Sequence, residues 1–228
     1  MNKKYIRNFW ITGCVFLLFV LYTLAVMFID VQLIGPNDSS VGFATINGAF
    51  HDLTGVHMKI YQWGDWLSVI PAAIVGGFGI LGLVQLIKRK SLWKVDLSIL
   101  TLGGFYVVVL ISYLFFEHFV VNYRPVIIEG VLEASYPSST TMLVICVMVT
   151  ANLQFKRLIK DKNLLRIVLI VSRVYLAFMV LGRLISGVHW ITDIIGGSIL
   201  SLTLVMLYCT TTNWLTTKIK EKISKNKR

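Results

Sequence analysis

The chain has 228 residues, of which 56% are hydrophobic and 14% charged, and its net charge is +11. A soluble domain carries roughly a quarter charged residues, so this composition excludes an ordinary soluble protein and indicates one that spans a membrane. The three cysteines all fall inside apolar runs, which favours small buried residues over a disulfide framework or a metal site.

Six apolar runs predict an all-α, polytopic membrane protein with a bundle of about six transmembrane helices, in a single domain over residues 1–228. The first run leads into further spans and lacks a small-residue cleavage site, so we expect a retained helix. In chain order, the predicted spans are 9–30, 66–87, 97–116, 140–154, 166–182 and 190–210.

The segment between the first two predicted spans begins with a turn cluster at residues 35–38. Its later part, from Ala49 to Trp66, mixes aromatic with polar side chains, which predicts an outer helix lying along the membrane interface. His51 and His57 are interpreted as interfacial residues, since no spacing of His, Cys and acids here matches a zinc site.

Eighteen of the 22 Lys and Arg residues fall on one side of this arrangement. By the positive-inside rule that side is cytoplasmic, with both termini there. The distribution is typical of topology signals and contact with anionic membrane lipids, so the net charge does not indicate a nucleic-acid partner. The distribution of charge does not predict an oligomeric state.

Arg124 and Arg183 are nearly the only cations on the opposite side, which receives most of the acids. Isolated arginines in an acidic neighbourhood indicate a focused anion site. Pro125 disfavours helical geometry at Arg124, so we expect the third span to end nearby and the guanidinium to turn inward. Snorkelling to lipid headgroups is the alternative.

A Pro-Ser-Ser-Thr sequence, residues 137–140, opens the fourth predicted span. Proline and hydroxyl residues are typical of a helix start. The backbone N–H groups of Ser138, Ser139 and Thr140 are therefore expected to face an anion at the helix N-terminus. An ordinary helix start is the alternative.

Arg183, His189 and Asp193 lie close together in an otherwise apolar region. Ionisable groups at membrane depth are costly and are therefore functional candidates. On a helix His189 and Asp193 share one face, so Asp193 is expected to accept a hydrogen bond from one ring nitrogen and leave the other free to attack. A purely structural hydrogen-bonded pair is the alternative, and a metal site lacks a third ligand.

In this order, Arg-Pro, Pro-Ser-Ser-Thr and Arg-x5-His-x3-Asp resemble the motifs of the type-2 phosphatidic acid phosphatase superfamily. Those motifs are Lys-x6-Arg-Pro, Pro-Ser-Gly-His and Ser-Arg-x5-His-x3-Asp. The resemblance implies six transmembrane helices, an active site at the outer membrane face, and no metal or other cofactor.

The resemblance also implies a role for each matching residue. His189 is the nucleophile that forms a phosphohistidine, and Asp193 orients and polarises it. Other matching residues hold the phosphoryl oxygens and stabilise the charge of the transition state. This substrate-binding set is Arg124, Arg183, Ser138 and Ser139.

Three positions depart from the family pattern: Glu117 replaces the lysine, Gly182 the serine and Thr140 the second histidine. In the family that histidine protonates the leaving oxygen, a contribution of roughly 100- to 10,000-fold that threonine does not supply near neutral pH. His118 is a possible substitute, although on a helix it faces away from Glu117. Glu117, included among the substrate-binding residues, either pairs with an arginine, binds a cationic part of the substrate, or is protonated.

We therefore expect a metal-independent phosphatase of lipid phosphates or lipid diphosphates, of polyprenyl diphosphate or phosphatidylglycerol phosphate type, with reduced activity because of Thr140. A leaving phosphate is already a stable anion, so a diphosphate is expected to be hydrolysed better than a monophosphate. The alternatives are a catalytically impaired relative that binds or translocates a phosphorylated lipid, and a small transporter unrelated to phosphatases.

Overall fold

A computed structural model describes residues 3–225, and eight α-helices make up most of this range. Within it there are no strands, only isolated bridges. The helices are α1 (Lys3–Phe28), α2 (Ala44–Thr54), α3 (Met58–Leu67), α4 (Val69–Arg89), α5 (Leu97–His118), α6 (Ser139–Leu158), α7 (Lys162–Ile185) and α8 (Ile191–Lys225).

Six helical stretches within the described range are long and apolar enough to cross a membrane, which confirms the predicted all-α class and the six spans. They are Lys3–Phe28, Met58–Arg89, Leu97–His118, Ser139–Leu158, Lys162–Ile185 and Ile191–Lys222. The helices extend past several predicted ends because charged residues continue them beyond the apolar core. The start of α7, for example, is set by Asp161, whose side chain accepts the Leu164 N–H at 2.7 Å.

The prediction of one interfacial helix over 49–66 was wrong in the number of helices and in their boundaries. Two helices occupy this region, α2 and α3, and Gly55 separates them with a φ of 67°, in the left-handed region that ends helices. Ser68, in contrast, is helical, so α3 runs almost directly into α4 and belongs to the second candidate span. Hydropathy did not locate either boundary because the residues of α3 are polar and aromatic.

The helices run in alternating directions, as contacts at the two ends of the bundle show. At one end the Tyr5 hydroxyl of α1 lies 2.6 Å from Thr217 Oγ1 near the end of α8. At the other end the Tyr22 hydroxyl of α1 donates to the Thr192 carbonyl at the start of α8. The ends of α4, α6 and α8 meet the start of α5, through the contacts Gln85–Asp96, Gln154–Ser98 and Thr212–Thr101. The basic ends of these three helices therefore share one end of the bundle, and the starts of α6 and α8 lie at the other.

Helices α6 and α8 form the centre of the bundle, since 50% and 56% of the residues in their apolar stretches are buried, against 11–22% in the other spans. Two glycines of α8 allow the segment before α6 to cross it closely. A methyl group at Gly196 would lie 2.5 Å from the Tyr136 ring, and one at Gly197 would lie 2.9 Å from the Ser138 carbonyl oxygen. This close crossing brings the start of α6 against the start of α8.

Candidate active site

His189 lies just before α8, and Asp193 lies in the first turn of that helix. The chain reaches His189 through Gly187, whose φ is 68° and at which a methyl group would lie 2.0 Å from the Gly55 carbonyl oxygen. Both titratable side chains are almost completely buried. The backbone N–H of Trp190 donates to Asp193 Oδ2 at 2.9 Å, which holds the carboxylate at the helix start.

The predicted direct hydrogen bond between His189 and Asp193 was wrong. His189 Nδ1 lies 3.7 Å from Asp193 Oδ2, too far for a hydrogen bond, because His189 precedes the helix and the helical four-residue spacing does not apply. Ser135 bridges the gap: its hydroxyl donates to Asp193 Oδ2, and its Oγ lies 3.0 Å from His189 Nδ1. Sequence reasoning missed Ser135, although it lies only two residues before the Pro-Ser-Ser-Thr sequence at 137–140.

This bridge determines which nitrogen of His189 carries the proton. A hydroxyl has a single proton, and Ser135 gives it to Asp193, so Ser135 Oγ accepts the Nδ1–H of His189. His189 Nε2 then carries a lone pair, and it is buried without a hydrogen-bond partner among residues 3–225. An unpaired basic nitrogen in a buried position is suited to nucleophilic attack.

The pKa of His189 is lowered from its usual value, mainly because burial disfavours the charged imidazolium. Asp193 opposes this shift, and the charges of Arg124 and Arg183 lower the pKa further. The imidazole is therefore neutral at neutral pH, the form that a nucleophile requires. The two guanidinium groups lie close enough to act on it electrostatically.

Arg183, in the last turn of α7, has a side chain that is only 3% exposed. Its Nη2 donates to Thr140 Oγ1 at 2.9 Å and to Asp65 Oδ1 at 2.5 Å. Its Nη1 and Nε are buried and have no partner within the described part of the chain. Two nitrogens of a planar cation, with three N–H donors between them, are thus available for an anion.

Arg124 meets Arg183 at the ring of Tyr61 on α3. The Arg124 Nη1 donates to the Tyr61 hydroxyl at 3.4 Å, and the guanidinium carbons of Arg124 and Arg183 lie 5.7 Å and 4.8 Å from the ring centroid. Arg124 Nη2 also forms an ion pair with Glu133 Oε2 at 3.0 Å. The structure therefore brings the two predicted arginines together, each paired with a carboxylate.

The start of α6 differs from the prediction in one respect. The Ser138 N–H is not free for an anion, because it donates to the Asp193 carbonyl at 3.0 Å, and the Ser138 hydroxyl caps the helix by accepting the Thr141 N–H. This contact docks the start of α6 onto that of α8. The N–H groups of Ser139 and Thr140 have no hydrogen-bond partner in the range 3–225 and remain available at the positive end of the helix.

Glu117, near the end of α5, is exposed and lines a small cavity together with Ser135 and Ser139. It pairs with neither arginine, so the ion-pair interpretation of Glu117 was wrong: Arg124 and Arg183 pair with Glu133 and Asp65 instead. His118 is exposed, and its Nδ1 contacts the Leu114 carbonyl of its own helix.

Sequence reasoning also missed the two residues that α3 brings to the site, Tyr61 and Asp65. They stand four apart and so share a helix face, and this spacing was the signal that could have identified them. The assignment of their segment to the membrane interface obscured it. No sequence signal indicated Glu133, which reaches Arg124 through the irregular segment between α5 and α6.

Comparison with known proteins gives a family match and a structural match. A model of the PAP2 superfamily matches residues 97–217, just over half of the chain. The crystal structure of a transmembrane PAP2-type phosphatidylglycerolphosphate phosphatase from Bacillus subtilis aligns with a TM-score of 0.56 and 20% sequence identity, covering 93% of this chain and 96% of that one. No curated protein matches the sequence.

Proposed function

The chain belongs to the PAP2 superfamily, and from that premise we propose that it hydrolyses phosphorylated membrane lipids through a phosphohistidine at His189. The observation that carries this proposal is the protonation of the His189 imidazole and the contacts of its two nitrogens. Ser135 and Asp193 hold its Nδ1 side, while the ring is neutral and its buried Nε2 has no partner among residues 3–225, beside two arginines.

The reaction runs in two steps. His189 Nε2 attacks the phosphorus, an N–P bond forms, and the bond from phosphorus to the leaving oxygen breaks. Arg183, through Nη1 and Nε, stabilises charge on the phosphoryl oxygens with Arg124 and the amides of Ser139 and Thr140. Water then attacks the phosphohistidine and releases inorganic phosphate. The carboxylate of Asp193, acting through Ser135, stabilises the positive imidazole of the intermediate.

The site is proposed to face the outer side of the plasma membrane, with both termini cytoplasmic. The distribution of Lys and Arg supports this orientation, since the basic helix ends lie at the end of the bundle opposite His189. A substrate there has its phosphate at the headgroup level and its tail in the bilayer. No metal or other cofactor takes part in the proposed steps.

The proposed substrates are lipid diphosphates in preference to lipid monophosphates. The Thr140 hydroxyl accepts a hydrogen bond from Arg183 and does not act as an acid near neutral pH. A phosphate leaving from a diphosphate needs a proton far less than a lipid alkoxide does. Polyprenyl diphosphates fit this requirement best. Phosphatidylglycerol phosphate, named for the Bacillus subtilis protein, represents the monoester class.

Phosphate release by the detergent-purified protein tests this proposal. A polyprenyl diphosphate, the matching polyprenyl monophosphate and phosphatidylglycerol phosphate are compared at neutral pH, with the expectation that the diphosphate is fastest. His189→Ala should abolish release and trapping of labelled phosphate on the protein, whereas His118→Ala, outside the site, should retain both. Equal or reversed preference between diphosphate and monophosphate would refute the leaving-group argument, and release by His189→Ala would refute the nucleophile.

A catalytically impaired relative that binds or translocates a phosphorylated lipid is the second candidate. Two observations favour it. Thr140 stands where the family pattern has a general-acid histidine, and the guanidinium groups of Arg124 and Arg183 are each already paired with a carboxylate. Lipid binding that is lost in Arg183→Ala, with no phosphate released from any of the three substrates, would identify this function instead.

A further inference from the structure

Asp65 contacts the same nitrogen of Arg183 as Thr140, the residue that replaces the second histidine of the family pattern. We propose, on the basis of the function proposed above, that the carboxyl group of Asp65 protonates the leaving oxygen in place of the missing histidine. Asp65 is a residue of α3, outside every motif considered in the sequence. Its catalytic assignment rests on its position relative to Thr140, Arg183 and His189.

Asp65 and Thr140 share one nitrogen atom. Arg183 Nη2 donates to Asp65 Oδ1 at 2.5 Å and to Thr140 Oγ1 at 2.9 Å, so the carboxyl group is the immediate neighbour of the position from which the acid is missing. The second oxygen, Asp65 Oδ2, has no hydrogen-bond partner in the described range. A carboxyl group with one oxygen anchored and the other free is able to hold and donate a proton.

Asp65 is more accessible than the nucleophile. His189 is 3% exposed, whereas the Asp65 side chain is 50% exposed. In phosphoryl transfer the attacking and leaving atoms are roughly in line, on opposite sides of the phosphorus. With His189 attacking from the buried side, the leaving group would depart on the exposed side, within reach of Asp65.

Arg183 is able to serve substrate and acid together. Asp65 and Thr140 occupy only Nη2, while Nη1 and Nε are buried and free within residues 3–225. A phosphoryl group therefore binds Arg183 without displacing Asp65. The guanidinium would then fix the distance between the phosphoryl oxygens and the acid.

The proton balance closes over the two steps. As the bond between phosphorus and the leaving oxygen breaks, the Asp65 carboxyl O–H gives its proton to that oxygen, and an alcohol or a phosphate departs. Asp65, now a carboxylate, takes a proton from the water that attacks the phosphohistidine. Hydrolysis returns both His189 and Asp65 to their starting states.

Two other carboxylates near the site are less suitable. Glu133 is bound to Arg124, on the other guanidinium. Glu117 lines the cavity with Ser135, which contacts the Nδ1 side of His189, away from the attacking nitrogen. Neither shares a contact atom with Thr140.

The role proposed for Asp65 depends on the leaving group. A lipid alkoxide needs a proton on departure far more than a phosphate does, so hydrolysis of a monoester should depend on Asp65 much more than hydrolysis of a diphosphate.

Asp65→Asn tests the assignment, because asparagine keeps an oxygen for Arg183 and loses the proton. We expect roughly a 100- to 10,000-fold loss of kcat on a long-chain alkyl monophosphate. On p-nitrophenyl phosphate, whose leaving group needs no proton, we expect a loss of less than about 10-fold. Glu133→Gln is the matched control: it removes the other arginine partner and should affect both substrates equally. Asp65→Glu, which keeps a carboxyl group, should retain more monoester activity than Asp65→Asn. That result would show that the position tolerates substitution.

Thr140→His supplies the second arm of the experiment. A histidine there provides its own proton, so the effect of Asp65→Asn on the alkyl monophosphate should shrink to less than about 10-fold in that background. Equal losses on both substrates, or an unchanged loss in the Thr140→His background, would overturn the proposal and leave Asp65 as a positioning residue for Arg183. If the unmodified protein releases phosphate from none of these substrates, the proposed function fails as well.

Discussion

Replacing Ser135 by alanine removes the contact that joins His189 to Asp193. Without the hydroxyl, His189 Nδ1 and Asp193 Oδ2 remain 3.7 Å apart, too far to form a direct hydrogen bond. Hydrogen bonds to a charged group contribute about 1.5–3 kcal/mol. Since about 1.4 kcal/mol corresponds to a tenfold change in rate, we expect kcat to fall about 10- to 150-fold in Ser135→Ala.

The loss should appear in the chemical step, because Ser135 contacts the side of the imidazole opposite the attacking nitrogen. Single-turnover formation of the phosphohistidine from a polyprenyl diphosphate measures that step directly, and KM should change little. Ser198→Ala is the control, since within the described part of the chain its hydroxyl donates only to the Ile194 carbonyl of the same helix. Normal phosphohistidine formation in Ser135→Ala would refute the bridging role.

Two further predictions concern the pH profile and the fold. Burial lowers the pKa of His189, so the neutral nucleophile persists at pH values below the ordinary pKa of histidine. The acid limb of the kcat/KM profile on a diphosphate should therefore lie below pH 6.5. An acid limb above pH 6.5 would contradict a buried nucleophile. Gly187→Ala would place a methyl group 2.0 Å from the Gly55 carbonyl oxygen at a residue whose φ is 68°. We expect the free energy of unfolding to fall by about 1–3 kcal/mol, which is measured as a lower Tm in detergent. Gly76→Ala, with open space around it, should leave the Tm unchanged or raise it, and equal effects at the two glycines would contradict this account.

The predicted spans were correct in number because a bilayer requires long apolar helices, a property of consecutive residues. Their ends were less accurate. Asp161 starts α7 four residues before the predicted position of 166, through a side-chain cap that hydropathy does not register. The break at Gly55 and the continuation through Ser68 depend on backbone angles that composition left open.

The family motifs indicated which side chains belong to the site, but not how they contact each other. The four-residue spacing of His189 and Asp193 suggested a helical pair, and the start of α8 after His189 removed the basis for that inference. The Ser138 N–H was expected to face an anion, yet it binds the Asp193 carbonyl, a partner 55 positions along the chain.

The order of apolar runs, the charge at their ends and the spaced motifs by themselves determined the membrane class and the family, and they predicted the principal residues of the candidate site. Only the tertiary structure decided that Ser135 bridges the imidazole and carboxylate, that Tyr61 joins the two arginines, and that Asp65 reaches the nitrogen bound by Thr140. The physical reason is distance along the chain. Hydropathy and motif spacing act over neighbouring residues, whereas these contacts form only after α3, α6, α7 and α8 have packed.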